Sequence, residues 1–209
     1  MKSIIKNGIY SDTIKGSRFL GYGKPVESIE AAKAFIKEIS ELHRTATHNV
    51  PAFSVLDGGR IDYWASDNGE PQGTAGAPIL STIRESQLTN LVIVVTRYFG
   101  GTKLGTGGLI RAYTEIAKKT LEECVICNLV KKTALELQTD YNSYNSLKRL
   151  AESLNAKIIE PDYKDDVTVK IAMKDDVVEK FIKGAENLTS GRIIVNSSKK
   201  FLDRDMIKK

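Results

Sequence analysis

A glycine-rich segment between a predicted buried strand and a predicted helix constrains this sequence most. Five of the nine residues from 100 to 108 are glycine; the β-branched stretch 91–97 precedes them, and a helical pattern over 109–121 follows. Ordering glycine is entropically unfavourable, so this density predicts positive φ angles or a close approach of the backbone to something. A strand, a glycine loop and a helix N-terminus in this order leave backbone N–H groups free at one place, which suits an anion.

Three cations, Arg97, Lys103 and Arg111, bracket this loop. We predict that they form an anion-binding site with the loop glycines, which are Gly100, Gly101, Gly105, Gly107 and Gly108. The alternative is a loop that is glycine-rich only because strand and helix pack tightly. The Walker and dinucleotide-binding motifs both fail, because Thr106 and Ile110 stand where those motifs need lysine and glycine.

A second segment, residues 65–78, also departs from what packing requires. Asp67 and Glu70 could form an acid–base pair, or they could have structural roles. In the structural interpretation Asp67 belongs to a turn and Thr74 caps the following helix. One of the two carboxylates then orients Arg97 or Lys103. We therefore assign Asp67, Glu70 and Thr74 a supporting role and name no catalytic residue.

The histidines and cysteines do not predict a metal site. His43 and His48 are the two histidines, and they lie far upstream of the pair Cys124 and Cys127, so a zinc site lacks suitable ligand spacing. The cysteine pair follows the end of a helix, where the helix dipole disfavours a thiolate, and we interpret both as buried structural thiols. His48 is either a turn histidine or a supporting site residue. No metal and no cofactor are predicted.

Composition indicates a globular protein with a weak preference for anionic partners. The 209 residues include 31 basic and 26 acidic side chains, giving a net charge of +5 that is spread along the chain. The longest uninterrupted aliphatic run, residues 91–95, is far shorter than the roughly 20 residues of a membrane helix. We expect a cytoplasmic protein without a membrane partner.

The pattern of elements predicts an α+β protein with two domains, residues 1–129 and 130–209. The first contains predicted helices over 27–44, 75–84 and 109–121 with strands between them. The second has the order β-α-β-β-α-β, which is typical of a ferredoxin-like domain, with a short charged tail over 199–209.

Two long motifs closely resemble the signature of the IMPACT/YigZ family. They are ASDNGEPQGTAGAPIL at residues 65–80 and VTRYFGGTKLGTGGL at residues 95–109, and residues 15–19 and 47–49 match the family as well. The sequence departs from the family at Val50-Pro51, where relatives usually carry a cysteine and an aromatic residue.

The resemblance implies a first domain with the α/β sandwich fold of the second domain of ribosomal protein S5. It implies a ferredoxin-like second domain similar to the last domain of elongation factor G. Both relatives are translation components, and the family has no established enzymatic reaction. We therefore expect a non-enzymatic protein that binds RNA or the ribosome through the glycine-rich loop and regulates translation, with a protein partner in the translation machinery as a further option.

Two alternatives stay open. One is an enzyme or sensor that acts on a small phosphorylated ligand at the same loop, and the other is a protein–protein adaptor. The sequence lacks the aromatic signature of an RNA recognition motif, so RNA binding is expected to depend on phosphate contacts and to weaken steeply with salt.

Overall fold

The computed structural model describes residues 1–163 and 166–206. Its contacts divide the chain into two compact units, one of residues 1–128 with 204–206 and one of residues 129–203. Both units combine helices with antiparallel strands. This architecture confirms the predicted α+β, two-domain fold class.

A five-stranded antiparallel sheet forms the centre of the first unit. In spatial order its strands are β2 (Gly8–Ile14), β3 (Ser17–Pro25), β6 (Leu91–Tyr98), β4 (His48–Asp57) and β5 (Arg60–Ala65). The middle strand β6 is buried along its length except at its last residue, Tyr98. A fully buried strand needs apolar side chains on both faces, which explains its run of valine and isoleucine.

Helices cover both faces of this sheet. They are α1 (Ile29–Leu42), α2 (Gly76–Glu85) and α3 (Thr106–Glu122). Val92 and Val94 of β6 share a core cluster with α1, whereas Ile93 and Val95 share one with α2 and α3. Successive side chains of a strand point to opposite faces, so α1 lies on one side of the sheet and α2 and α3 lie on the other.

The second unit has the predicted ferredoxin-like order. Its elements are β7 (Val125–Thr139), α4 (Tyr141–Ser153), β8 (Lys157–Tyr163), β9 (Val167–Lys174), a 3₁₀ turn (Asp175–Val177), α5 (Val178–Thr189) and β10 (Ile194–Met206). The strands follow the spatial order β10-β7-β9-β8. Leu147 of α4 and Phe181 of α5 pack against Leu135 and Val169 of the sheet.

Several strands differ from the sequence-based prediction. Strand β1 (Lys2–Lys6), which pairs with residues 125–128, and strand β2 were not predicted, and β7 begins at Val125, before the predicted domain boundary at residue 129. The predicted charged tail is strand up to Met206, and its residues 207–209 lie outside the described residues. Pairing with β7 orders this polar segment, and Lys132 Nζ lies 2.7 Å from Asp203 Oδ2.

Candidate functional site

The loop between β6 and α3 is fixed at its start by close packing. A Cβ atom on Gly100 would lie 1.8 Å from the carbonyl oxygen of Gly16, so no larger residue fits there. The Gly100 amide donates to Ser17 Oγ at 3.3 Å, and the Phe99 amide donates to Thr47 Oγ1 at 3.0 Å. Gly100 is therefore required for packing against the turn between β2 and β3, not for packing of strand against helix.

The end of the loop is open by contrast. Gly101 and Gly105 have positive φ angles of 86° and 71°, and among the described residues no atom comes within 4 Å of where a Cβ would lie, so conformation explains these glycines instead of packing. Gly105 is the N-cap of α3, and no side chain caps it within the described part of the chain. Leu109 N makes the first helical bond, to Gly105 O at 2.9 Å, which leaves the amides of residues 106–108 without intrahelical partners.

A pocket of about 420 Å³ opens at this helix N-terminus. We call it the α3 pocket, and its lining residues are Thr47, His48, Glu70, Pro71, Arg97, Phe99, Lys103, Leu104, Gly105, Thr106 and Leu109. It brings together two of the three predicted cations, Arg97 and Lys103. Arg111 instead lines a groove on the exposed face of α3 with Lys118 and Glu122, although its Nη1 lies 3.5 Å from a Cβ position on Gly107.

Arg97 is the buried cation of the α3 pocket and is 5% exposed. Its Nη1 donates to Glu70 Oε1 at 2.7 Å, and its Nη2 donates to Ser17 Oγ at 3.2 Å. The remaining donor, Nε, is buried and has no hydrogen-bond partner among residues 1–163 and 166–206. A buried N–H group without a partner is uncommon in folded proteins, but this nitrogen exposes almost no surface to the pocket.

Glu70 is the acidic member of this cluster. It is 8% exposed, and its Oε1 also accepts a hydrogen bond from Tyr113 Oη at 2.7 Å. Burial raises the pKa of Tyr113, and the hydrogen bond to Glu70 and the charge of Glu70 raise it further, so Tyr113 stays a neutral donor. The carboxylate therefore holds Arg97 and Tyr113 in fixed positions.

His48 contacts the same carboxylate from another side. Its Nδ1 lies 2.8 Å from the carbonyl oxygen of Asn68, and because a carbonyl only accepts, Nδ1 must carry the proton. Its Nε2 lies 3.8 Å from Glu70 Oε2. Gly69 has a positive φ of 86° and passes so close to the ring that a Cβ would lie 3.2 Å from His48 Nδ1.

Asp67 lies outside the α3 pocket and caps helix α2. Its carboxylate accepts from the amides of Gly73 at 2.8 Å, Ala75 at 3.0 Å and Gly76 at 2.8 Å. Partial burial works to raise the pKa of Asp67, but these three donors outweigh it and hold the pKa below its ordinary value. The prediction that Thr74 caps this helix is wrong, because Thr74 Oγ1 donates instead to Pro71 O at 2.6 Å.

Phe99 and Tyr113 are among the residues of this site that were not predicted from the sequence. Phe99 lines the α3 pocket and is 47% exposed, and nothing in its local pattern indicates this. The helical pattern puts Tyr113 on the buried face of α3, and its hydroxyl was the available signal, because a buried tyrosine hydroxyl usually has a partner.

The structure also describes the cysteines and the surroundings of the site. Cys124 and Cys127 are both free and buried. Residues 1–163 and 166–206 contain no group of three His, Cys, Asp or Glu side chains arranged to hold a metal ion. In the same ranges, every helix is too short or too polar to cross a membrane.

Comparison with known proteins decides the family. Residues 15–121 match the model of the Impact N-terminal domain, and residues 137–192 match a domain of unknown function, DUF1949. An IMPACT family member of Haemophilus influenzae is 32% identical over 188 residues, which cover 90% of this chain and 91% of that protein. The chain belongs to the IMPACT family. The resemblance seen in the motifs is thereby confirmed.

Other IMPACT relatives match over similar lengths. The IMPACT family members YvyE of Bacillus subtilis and YigZ of Escherichia coli are each 31% identical over 185 residues, covering 85% and 90% of those proteins and 88% and 87% of this chain. A crystal structure of a hypothetical protein covers all of this chain and 97% of its own, with 28% identity and a TM-score of 0.64. The likeness to the IMPACT family therefore extends through both domains.

Proposed function

We propose that this IMPACT-family protein is a non-enzymatic regulator of translation that binds RNA or the ribosome, with the α3 pocket as its phosphate-binding site. One observation carries the proposal: the uncapped N-terminus of α3, Lys103 and the buried Arg97 line one pocket. The role in translation rests on the resemblance to the family, whose two implied folds occur in ribosomal protein S5 and elongation factor G.

The local charge balance supports an anion. Arg97 and Glu70 neutralise each other as a buried ion pair at 2.7 Å. The net positive charge of the pocket then comes from the exposed Lys103 and from the helix N-terminus, which is equivalent to about half an elementary charge. A phosphate oxygen is an acceptor that suits both of these groups.

Co-sedimentation with ribosomal particles tests this proposal. The wild-type protein should sediment with the particles at low salt, and Lys103→Ala should lose most of that binding. Lys118→Ala is the matched control, because Lys118 is an exposed lysine of α3 that lies outside the α3 pocket. Equal binding by the wild type and both variants would reject the α3 pocket as the ribosome-binding site.

A second candidate is an enzyme or sensor for a small phosphorylated ligand. The size of the α3 pocket favours it, because about 420 Å³ lies within the roughly 300–1,000 Å³ of small-molecule sites. A ligand present at a hundred times its dissociation constant should raise the free energy of unfolding by about 2.7 kcal/mol. A screen of phosphorylated metabolites without any increase in melting temperature would reject this candidate.

A further inference from the structure

The walls of the α3 pocket contain more apolar surface than a phosphate group alone can use. Phe99, Leu104, Leu109 and Pro71 line it beside the cations. Phe99 is the large apolar residue among them that is most open to solvent, at 47% exposure. A flat aromatic face next to an anion-binding group is the combination that nucleic-acid-binding proteins use to hold a base and its phosphate.

The backbone at Phe99 is fixed before any ligand arrives. Its amide is bound to Thr47 Oγ1 at 3.0 Å, and the next amide, of Gly100, is bound to Ser17 Oγ at 3.3 Å. Gly100 has no room for a Cβ, so the backbone is held from both sides. The guanidinium carbon of Arg97 lies 5.6 Å from the centre of the Phe99 ring, which places the ring next to a rigid cation.

Arg97 adds a buried guanidinium group to the wall of the same pocket. Arg97 is 5% exposed and lines the pocket, and its Nε has no hydrogen-bond partner in the part of the chain that the structure describes. Its other two nitrogens are already bound to Glu70 and Ser17. Because Nε exposes almost no surface, Arg97 shapes the pocket wall, and Lys103 and the amides of residues 106–108 are the groups that an anion can contact.

We infer that the α3 pocket binds one nucleotide unit, with its phosphate at Lys103 and the amides of residues 106–108 and its base stacked on Phe99. This inference rests on the anion site of the proposed function and names the class of ligand. Stacking on one phenylalanine does not distinguish between bases, so it adds affinity without base specificity. The unit can belong to a single-stranded RNA or to a free nucleotide, because both present the same phosphate and base.

Calorimetric titration of the full chain separates the contributions of phosphate and base. The probes are AMP, ribose 5-phosphate and inorganic phosphate, together with a short oligoadenylate and an abasic oligomer of the same length. The variants are Phe99→Leu, which keeps an apolar side chain without the ring, and Phe99→Tyr, which keeps the ring. Lys103→Ala removes the charge of the anion site, and Lys118→Ala changes a lysine outside the pocket. Circular dichroism first establishes that each variant is folded.

We expect AMP to bind more tightly than ribose 5-phosphate. Phe99→Leu should lower the affinity for AMP by about tenfold, equivalent to about 1.4 kcal/mol. The affinity of this variant for ribose 5-phosphate should stay at the wild-type value. Phe99→Tyr should bind AMP more tightly than Phe99→Leu. Tighter binding of oligoadenylate than of AMP identifies RNA as the source of the nucleotide, and equal affinities identify a free nucleotide.

Two different failures are distinguishable. If ribose 5-phosphate binds and depends on Lys103, but AMP is no tighter and Phe99→Leu has no effect, then base stacking is wrong and the anion site stands. If no phosphate probe and neither oligomer binds the wild-type protein, the anion site itself is wrong, and the inference fails with it.

Discussion

Arg97 Nη1 lies 2.7 Å from Glu70 Oε1, and both side chains are almost fully buried beside the α3 pocket. The carboxylate fixes the guanidinium and cancels its charge. Arg97 is therefore a positioned hydrogen-bond donor, and Lys103 supplies the uncompensated charge of the pocket. We expect a change at the ion pair to alter stability first and a change at Lys103 to alter ligand binding first.

Removing the charge of Glu70 should destabilise the fold strongly. Glu70→Gln leaves Arg97 buried without its anion, and breaking a buried pair in this way costs about 3–5 kcal/mol. Urea denaturation measures the change in the free energy of unfolding. Glu38→Gln is the control, because Glu38 forms an exposed pair with Lys24 at 3.2 Å and should have a far smaller effect. Wild-type stability of Glu70→Gln would show that Arg97 finds another partner.

Gly100 in the loop and Gly107 in the first turn of α3 should respond in opposite ways to replacement by alanine. Gly100→Ala places a Cβ 1.8 Å from Gly16 O and should destabilise the protein by about 1–3 kcal/mol through overpacking. Gly107→Ala meets only the end of the Arg111 side chain within 4 Å among the described residues, and alanine favours a helix over glycine by about 1 kcal/mol, so it should be neutral or stabilising. Thermal unfolding of both variants tests this difference, and equal destabilisation would contradict it.

The Asp67 cap should make stability depend on pH in the acid range. The pKa of Asp67 is lower in the folded protein than its ordinary value of 3.8. Its stabilising effect is therefore complete above that value and is lost as the pH falls through the lower, folded pKa. Asp67→Asn keeps one acceptor oxygen for the amides of Ala75 and Gly76 but loses the charge and the acceptor for Gly73. It should cost about 1 kcal/mol at neutral pH, as the loss of one hydrogen bond does.

The measurement for this prediction is urea denaturation of the wild type and Asp67→Asn from neutral to acid pH. The difference between them should shrink below pH 3.8. Glu115→Gln, a change at an exposed position of α3, provides the control with no such convergence. A difference that stays constant with pH would mean that the carboxylate charge does not matter for the cap.

The two cysteines should be unreactive in the native protein. Burial raises the pKa of Cys124 to about 11 and also raises that of Cys127, so few thiolates form at neutral pH. Reaction with a disulfide reagent should be slow in buffer and fast in denaturant. Rapid native labelling, or a disulfide between Cys124 and Cys127 after mild oxidation, would contradict the structural interpretation.

The fold was largely predictable because its helices and central strands have strong periodic patterns. The β-branched residues of β6 and the spaced apolar residues of α1 and α3 indicated these elements directly. Strands β1 and β2 and the second half of β10 mix polar and apolar residues without strict alternation, and their order comes from backbone pairing with other strands. The pattern of residues within one strand does not reveal which other strand it pairs with.

The position of the site was predictable from the sequence, but not which side chains line it. The glycine density marked the loop, but no local pattern indicates which cation faces the pocket. Arg111 follows the helix N-terminus closely in sequence, yet it lines a groove on the exposed face of α3 and not the α3 pocket. Asp67 caps a helix that begins nine residues later, whereas cap signals in sequence are read immediately before a helix.

The salt dependence of RNA binding tests the central claim most directly. Affinity for a short oligoadenylate is measured at several salt concentrations for the wild type, Lys103→Ala and Lys118→Ala. We predict that the wild-type affinity falls steeply with salt and that Lys103→Ala reduces the slope of log K against log salt by about 1, whereas Lys118→Ala leaves it unchanged. A wild-type slope of zero, or the same slope in Lys103→Ala as in the wild type, would contradict a phosphate site at the N-terminus of α3.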